Sequence, residues 1–324
     1  AIANAPRKVK GSTETGQQEQ FYMEGQITYA VPREDGQLTL YSSTQHPDGN
    51  QREAAAALNL STNDVEVICR RMGGGFGGKE GNASIFSQSA ALAAFKLQRP
   101  VKLRVNRDDD MMITGKRHDL RIRYRAGFDA TGRVLGLEFT HLVRCGWSQD
   151  LSLAVADRAM LHADNCYHLP DIRIESHRLK THTQSATAFR GFGGPQGVIL
   201  IETIMGDIAR ALKLDPLDVR LRNLYSDEAI AGTDQKRDTT HYQMKVEDNI
   251  LEPLMTQLAL TSGYRERAEQ IAQWNASSPV IKRGIALTPV KFGISFTATL
   301  FNQAGALVHV YTDGSVQVNH GGTE

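Results

Sequence analysis

The sequence has few cysteines, no long apolar run and no excess charge of either sign. Its 324 residues include three cysteines, Cys69, Cys145 and Cys166. This small, odd number argues against a disulfide framework, and it is too few to hold an iron–sulfur cluster. No apolar run reaches the ~18 residues that span a bilayer, and no apolar stretch follows the first basic residues as in a secretory signal. These absences predict a cytoplasmic protein with no membrane partner.

The charge balance excludes another class of partner. Lysine and arginine number 37 and acidic residues 36, so the formal net charge is +1. Nucleic-acid binding needs a basic face, and we therefore expect no nucleic-acid partner. Hydrophobic residues at 40% and charged residues at 23% are typical of a globular protein. At ~150 residues per domain, the length predicts about two domains.

Hydrophobic spacing predicts an α+β fold of mixed sheets with helices. Strands are predicted over 37–43, 64–70, 101–105, 120–128, 133–144, 284–300 and 306–318, with turns at 129–132 and 313–314. Helical spacing predicts helices over roughly 83–97, 197–213 and 248–273. The expected inner faces of the first two consist of Phe86, Ala90, Ala93 and Leu97, and of Ile201, Ile204, Met205, Ile208 and Leu212. Residues 225–247 are polar, which indicates a linker.

Two glycine-rich loops repeat one pattern. Residues 75–81 (GFGGKEG) and 191–197 (GFGGPQG) each lead into a predicted helix, followed by Lys-Leu and a proline. Successive glycines let backbone N–H groups approach a bulky ligand, and helix N-termini favour anions. Together the loops bring backbone donors, Arg190, Phe76, Phe192 and Glu80. This set suits a large anionic cofactor beside a flat, polar, aromatic substrate.

Nucleotide-binding alternatives use the same glycines. Gly73, Gly75 and Gly78 follow a strand and satisfy G-x-G-x-x-G, the pattern of an NAD-dependent dehydrogenase. The acidic residue expected ~20 positions later arrives only at Asp108. Gly73 to Lys79 also spells the start of a triphosphate-binding loop, but Glu80 stands where a hydroxyl is needed. The triphosphate interpretation therefore fails, and the NAD interpretation stays as an alternative.

Longer motifs add a family resemblance. RMGGGFGGKE, TAFRGFGGPQG, DRAMLHADNCY, KFGISFT and HVYTDGSVQVNHGGTE resemble the molybdenum-binding part of the xanthine dehydrogenase/oxidase family of molybdenum hydroxylases. The resemblance runs from about residue 16 to residue 324. It implies two molybdopterin-binding domains: the first over 1–228, a linker over 229–247, and the N-terminal part of an incomplete second domain over 248–324. It also implies a chain cut from a larger protein.

The resemblance also implies residue roles. Gln45 matches the glutamine that bonds the apical oxygen ligand of molybdenum, and Gln45 and Phe76 are expected near the metal without ligating it. The other expected cofactor contacts are Gly75, Phe76, Gly77 and Arg190. The expected substrate contacts are Glu80 and Arg158 on the polar edges of a purine, Phe192 and Phe296 on its two faces, and Thr297 beside Phe296. Glu80 and Arg158 are the catalytic candidates.

The function implied by the resemblance is hydroxylation of hypoxanthine and xanthine to urate. The oxygen would come from water, and electrons would pass from molybdenum-molybdopterin to 2Fe-2S and FAD on a partner domain or subunit, then to NAD. The parent enzyme is expected to be a homodimer or heterotetramer. The family's catalytic glutamate is expected beyond residue 324, so the fragment itself should be inactive. An aldehyde-oxidase-type hydroxylase is the alternative within the family, although Glu80 and Arg158 favour a purine.

Two further clusters of histidine, cysteine and basic residues are not predicted to be functional sites. His162, Cys166 and His168 lack the spacing of a zinc site and are interpreted as packing or surface residues. Lys116, Arg117 and His118 form a short basic patch, interpreted as a solvated turn. Gln20 stands where the family resemblance leads us to expect histidine, with a small expected effect.

Overall fold

The computed structural model describes residues 1–230 and 232–320, so GGTE at the end of the last motif and residue 231 of the predicted linker lie outside the described residues. The strands are β1 (Arg7–Thr15), β2 (Ile27–Pro32), β3 (Leu38–Ser42), β4 (Val65–Ile68), β5 (Val101–Arg104), β6 (Leu120–Phe128), β7 (Val134–Gly146), β8 (Ile172–Lys180), β9 (Ser226–Ala229), β10 (Lys236–Arg237), β11 (Ala306–Val310) and β12 (Val316–His320). The helices are α1 (Pro47–Leu58), α2 (Asn82–Leu97), α3 (Arg107–Ile113), α4 (Ser152–Leu161), α5 (Gly194–Leu212), α6 (Pro216–Asn223), α7 (Leu251–Thr261) and α8 (Tyr264–Ser277). The predicted α+β class is confirmed.

One four-stranded sheet has the order β1-β6-β7-β8 and carries the larger core. β1, β6 and β7 pair antiparallel, whereas β7 and β8 pair parallel. The predicted turn between β6 and β7 is confirmed, because Gly132 takes a φ of +89° and its N–H bonds the carbonyl of Asp129. α5 buries the predicted stripe of Ile201, Ile204, Met205 and Ile208 in this core.

A second four-stranded sheet has the order β4-β3-β2-β5 and carries a smaller core with α1 and α2. Alanines dominate the helix side of this core, since Ala54, Ala90, Ala91 and Ala94 are fully or almost fully buried. Small side chains let the helices lie close to each other and to the sheet. The predicted face of α2 is partly wrong: Leu97 is exposed at the last turn, because the buried stripe passes through Ala91 and Ala94 instead.

The third predicted helix is wrong in extent. The structure has two helices there, α7 and α8, separated by Ser262 and Gly263. Gly263 takes a φ of +61°, the left-handed conformation that ends helices and that glycine adopts without a Cβ penalty. Apolar spacing alone continues across this break, which explains the error.

The predicted strand over 284–300 is also wrong. Within the described residues this segment pairs with no strand, and Thr299–Phe301 forms a short 3₁₀ turn. Around Pro289, which has no N–H to give to a ladder, the partner is a side chain. The amide of Asn165 donates from Nδ2 to the carbonyl of Pro289 (2.8 Å) and accepts from the N–H of Lys291 (3.0 Å).

The chain divides into two compact units, Ala1–Phe292 and Gly293–Glu324. In the second unit, β11 and β12 form the predicted hairpin, with Gly314 at a φ of +84° in the turn. In the first unit, β9 and β10 form a short ladder inside the polar segment 225–247. The proposed domain limits at 228 and 247 stay a prediction.

Candidate functional site

The two glycine loops have the same backbone conformation. Phe76 and Phe192 take φ angles of +52° and +48°, and the glycines after them, Gly77 and Gly193, take +93° and +97°. A phenylalanine in the left-handed region is strained and persists only where its surroundings hold it. The predicted repeat is therefore a repeat of structure.

The same tight turn closes each loop. The N–H of Gly78 bonds the carbonyl of Gly75, and the N–H of Gly194 bonds the carbonyl of Gly191, both at 2.8 Å. The loops differ after the turn, because α5 begins at once at Gly194 whereas α2 begins only at Asn82.

The loops also contact each other. The N–H of Arg190 donates to the carbonyl of Phe76 (3.0 Å), and a Cβ on Gly77 would lie 2.7 Å from the carbonyl carbon of Ala188. Gln20 is buried and donates from Nε2 to the carbonyl of Ala188 (2.8 Å). Residues that are 111 or more positions apart in the sequence thus form one surface, and only glycine fits at position 77.

Gln45 is fixed on the first loop. Its Oε1 accepts from the N–H groups of Gly77 (2.9 Å) and Lys79 (3.2 Å), and its own N–H donates to the carbonyl of Lys79 (2.9 Å). A Cβ on Gly75 would lie 2.5 Å from this oxygen. Because the carboxamide oxygen is engaged by the loop, the NH₂ group is the end of Gln45 that can donate to a ligand. The structure brings Gln45, Gly75, Phe76, Gly77 and Arg190 together.

Lys79 and Glu24 form an ion pair under the first loop, which the sequence did not predict. Lys79 is fully buried, and its Nζ contacts Ser43 Oγ (2.7 Å) and Glu24 Oε2 (3.2 Å). Burial lowers the pKa of Lys79. Burial acts to raise the pKa of Glu24, but hydrogen bonds from Ser43 and the N–H of Gly73 and the charge of Lys79 lower it overall. These partners are far apart in sequence, so no local pattern signals the pair.

This ion pair weighs against both nucleotide interpretations. A triphosphate loop needs its lysine at the phosphates, whereas the Nζ of Lys79 is bound beneath the loop. The N–H of Gly73, needed by a dinucleotide, donates to the carboxylate of Glu24 at 2.9 Å. A carboxylate at that position repels a pyrophosphate.

Arg158 lies on α4 beside the second loop. It is 4% exposed, and its guanidinium carbon is 5.6 Å from the ring centroid of Phe192 and 5.2 Å from that of Phe292. Burial lowers the pKa of Arg158. A Cβ on Gly193 would lie 2.1 Å from the carbonyl oxygen of Val155, so loop and helix are in direct contact. Two of the expected substrate contacts, Arg158 and Phe192, therefore lie close together.

Phe292 is a site residue that the sequence analysis missed. Its ring also packs on His162, 5.2 Å between centroids, and a Cβ on Gly194 would lie 2.8 Å from the ring. The motif KFGISFT begins at position 291, and its first phenylalanine is Phe292. Among the described residues, no three histidine, cysteine or acidic side chains are grouped so as to hold a metal.

The other predicted substrate residues are Glu80, Phe296 and Thr297. Glu80 is half-buried at the end of the first loop, just before α2. Phe296 and Thr297 belong to the second compact unit, where the N–H of Phe296 donates to Asn302 Oδ1 (2.7 Å) and its ring meets Phe301 edge-on at 5.4 Å. The roles of these three residues stay predictions.

The basic patch at 116–118 is not a solvated turn. Lys116 and Arg117 are each 7% exposed and His118 is fully buried. Lys116 pairs with Glu19 at 2.8 Å, and His118 Nε2 bonds Ser152 Oγ at 2.7 Å at the start of α4. The segment is covered because it lies between the N-terminal part of the chain and the backbone around Thr187. Arg117 forms a strand-like bridge with Thr187. Composition alone cannot reveal such burial.

Two buried histidines predict acid sensitivity. Burial lowers the pKa of His118 and of His141 to about 4 from an ordinary 6.5. As pH falls from 6.5 towards 4, the unfolded chain takes up these protons first, so stability present above pH 6.5 is lost. The expected loss is roughly 3 kcal/mol for each histidine.

The variant His141→Leu tests this expectation. Among the described residues neither ring nitrogen of His141 has a hydrogen-bond partner, so leucine removes the titration without breaking a bond. Urea unfolding of the 324-residue chain at several pH values should show an acid loss that is smaller than the wild-type loss by roughly 3 kcal/mol in this variant. An unchanged dependence on pH would contradict the assignment.

Comparison with protein families agrees with this geometry. Two family profiles, each described as "Molybdopterin cofactor-binding domain", match residues 1–224 and 257–324. The chain belongs to the molybdopterin cofactor-binding domain family. The family resemblance predicted from the glycine-loop motifs is thereby confirmed, and so is molybdopterin as its cofactor.

Curated relatives carry more specific names. The chain is 45% identical over 317 residues to "Xanthine dehydrogenase/oxidase" of Gallus gallus, covering 98% of this chain and 23% of the relative. It is 42% identical over 324 residues to "Xanthine dehydrogenase" of Drosophila subobscura, covering 100% of this chain and 23% of the relative. The chain therefore spans about a quarter of the length of these relatives.

Solved structures support the fold. The aldehyde oxidoreductase of Desulfovibrio desulfuricans matches with a TM-score of 0.79 at 23% identity, covering 98% of this chain and 33% of that one. The CO dehydrogenase of Oligotropha carboxidovorans matches with a TM-score of 0.70 at 22% identity, covering 85% and 34%. Over the described residues, none of the helices has the length and apolar character needed to cross a membrane.

Proposed function

We propose that the full-length protein carrying this chain is a molybdenum-dependent hydroxylase of the xanthine dehydrogenase type. It converts hypoxanthine and xanthine to urate, inserting an oxygen from water into a ring C–H bond and releasing two electrons and two protons. Those electrons leave through 2Fe-2S and FAD centres outside this chain towards NAD. The observation that carries the proposal is the buried cation Arg158, flanked by aromatic rings beside a glycine loop.

The residues of the joined loops fit a large anionic cofactor with oxygen-bearing groups. Gln45 has its NH₂ end available as a donor, Arg190 is exposed, and the close packing at Gly75 and Gly77 fixes the surface that a ligand would meet. Gln45, Gly75, Phe76, Gly77 and Arg190 would hold the molybdenum-molybdopterin. When bound, this group supplies the two-electron oxidation.

The substrate role falls to side chains around Arg158. A purine gains negative charge as its ring carbon is attacked, and a guanidinium in a water-poor site stabilises that charge. Phe192 and Phe296 are the proposed contacts to the two faces of the flat purine ring, and orientation of this kind lowers the barrier. Glu80 would bond the ring nitrogens, with Thr297 as a further contact.

The aldehyde-oxidase alternative requires a site that binds a substrate with fewer polar groups than a purine. An aldehyde has no amide-like edge, so it offers Arg158 and Glu80 neither the ring nitrogens nor the carbonyl oxygens that a purine offers. The relatives named xanthine dehydrogenase favour the purine, and the aldehyde oxidoreductase structures match in fold alone. Assembly as a homodimer or heterotetramer in the cytoplasm belongs to the same proposal.

The experiment is anaerobic mixing of the full-length protein with xanthine or with an aromatic aldehyde. Bleaching of flavin and iron–sulfur absorbance by xanthine supports the proposal. Bleaching by the aldehyde alone would overturn the substrate assignment and keep the hydroxylase class. NAD binding to the isolated 324-residue chain would favour the dehydrogenase alternative instead.

A further inference from the structure

Arg117 is a buried cation without an acidic partner. Among the described residues, no carboxylate oxygen lies within 4.0 Å of its guanidinium, although the residue is only 7% exposed. Arg220 provides the contrast, because it is equally buried but pairs with Glu202 at 2.7 Å. Burial lowers the pKa of Arg117 to about 10. Buried charges are normally paired, since an isolated one is costly to desolvate.

The contacts of Arg117 place it under the junction of the two loops. Nη2 donates to the carbonyl of Arg190 (2.9 Å), Nε donates to Gln18 Oε1 (2.6 Å), and the guanidinium stacks on Phe189 with its carbon 3.9 Å from the ring centroid. The N–H of Arg190 in turn donates to Phe76 of the first loop. A single residue, Arg190, therefore links this guanidinium to the inter-loop hydrogen bond.

One nitrogen of the Arg117 guanidinium makes no hydrogen bond within the described residues. Nη1 is buried and has no hydrogen-bond acceptor among the residues that the structure describes. The other polar atoms of the side chain bond neutral oxygens, which satisfy geometry but leave the net charge in place. Both the unbonded Nη1 of Arg117 and its uncompensated charge point to a negative group that is not among the described residues.

We propose that Arg117 is a cofactor-retention residue whose buried positive charge is balanced by the anionic molybdopterin held at the joined glycine loops. This inference rests on the proposed function. It adds to the loop contacts an electrostatic element from a segment outside both glycine motifs. Arg117 is buried, so water screens its charge only weakly. The attraction between its charge and the anionic cofactor is therefore stronger than that between two charges at the protein surface.

A purely structural role makes a different prediction. If Arg117 only fastens Arg190 to Gln18, its loss destabilises the protein equally with and without cofactor. If its charge is balanced by the cofactor, removing the charge relieves a cost in the cofactor-free form and removes an attraction in the loaded form. The rise in Tm on loading is therefore the quantity that separates the two roles.

The test compares Arg117→Met and Arg117→Lys in the full-length protein, with Arg220→Met as the matched control for a paired buried arginine. Molybdenum by mass spectrometry and pterin by fluorescence of its oxidised form are measured per folded polypeptide, and Tm is measured on loaded and cofactor-free preparations. We expect Arg117→Met to lose about tenfold or more of its cofactor at limiting supply, as for loss of one charge-assisted interaction. Arg117→Lys keeps most of the cofactor, and Arg220→Met lowers both Tm values by the same amount.

Several outcomes would overturn the inference. Wild-type occupancy in Arg117→Met, or an unchanged Tm rise on loading, would do so while leaving the proposed function intact. If Arg117→Met does not fold, Arg117→Gln takes its place, because glutamine keeps hydrogen-bond donors but carries no charge. If neither variant folds in the cofactor-free form, the inference is contradicted. A wild-type protein that contains neither molybdenum nor pterin would overturn the proposed function, and this inference with it.

Discussion

Replacing Arg158 by methionine in the full-length protein should lower kcat for xanthine by about 10²–10³-fold, the usual cost of removing one group that stabilises charge in a transition state. Arg158 is almost completely buried between the rings of Phe192 and Phe292, so water cannot take over its role. The loss should fall mainly on kcat, with a smaller change in KM, because the purine becomes charged only during reaction.

Stopped-flow reduction by xanthine measures this effect directly. Arg158→Lys is the matched variant, since it keeps the charge but loses the planar guanidinium that stacks between aromatic rings. Molybdenum content must stay at the wild-type level in both variants, which shows that the loops are intact. An unchanged kcat in Arg158→Met would remove Arg158 from the reaction and with it the main support for a purine substrate.

Gly193→Ala should cause the largest loss of stability among single substitutions in the loops. The φ of +97° disfavours any side chain, and the new Cβ would lie 2.1 Å from the carbonyl oxygen of Val155. Loop and α4 would have to separate, with an expected loss of about 4 kcal/mol from backbone strain and overpacking together. In a chain of 324 residues the corresponding fall in Tm is about 6 °C.

Gly36→Ala is the control for the backbone component. Gly36 also has a positive φ, +77°, but nothing lies within 4 Å of the position that its Cβ would take. We expect a loss of only about 1 kcal/mol there, from conformation alone. Thermal unfolding of the two variants side by side measures the difference. Equal shifts in Tm would show that α4 and the second loop are not in the tight contact described above.

Several elements of the fold could be predicted from the sequence because their signals are local. The stripe of isoleucines and methionine in α5 repeats at helical spacing, and the β6–β7 turn carries glycine where the backbone needs a positive φ. The glycine loops could be recognised as a pair for the same reason, since their shared residues dictate a shared conformation. Gln45, Arg158, Phe296 and Thr297 carried no such local signal and were assigned only through the family resemblance.

Other features depended on the tertiary structure. The break at Gly263 lies inside an unbroken apolar pattern, and the segment around Pro289 finds a side chain, Asn165, instead of a strand. The burial of Lys79 with Glu24 is set by residues 55 positions apart, and that of Arg117 by packing beneath the second loop. Charged residues in a sequence are normally interpreted as solvated, because only folding can supply the partners that make burial affordable. The sequence by itself therefore determined the α+β class, the paired loops and the family, whereas the tertiary structure alone decided which charges lie beneath those loops.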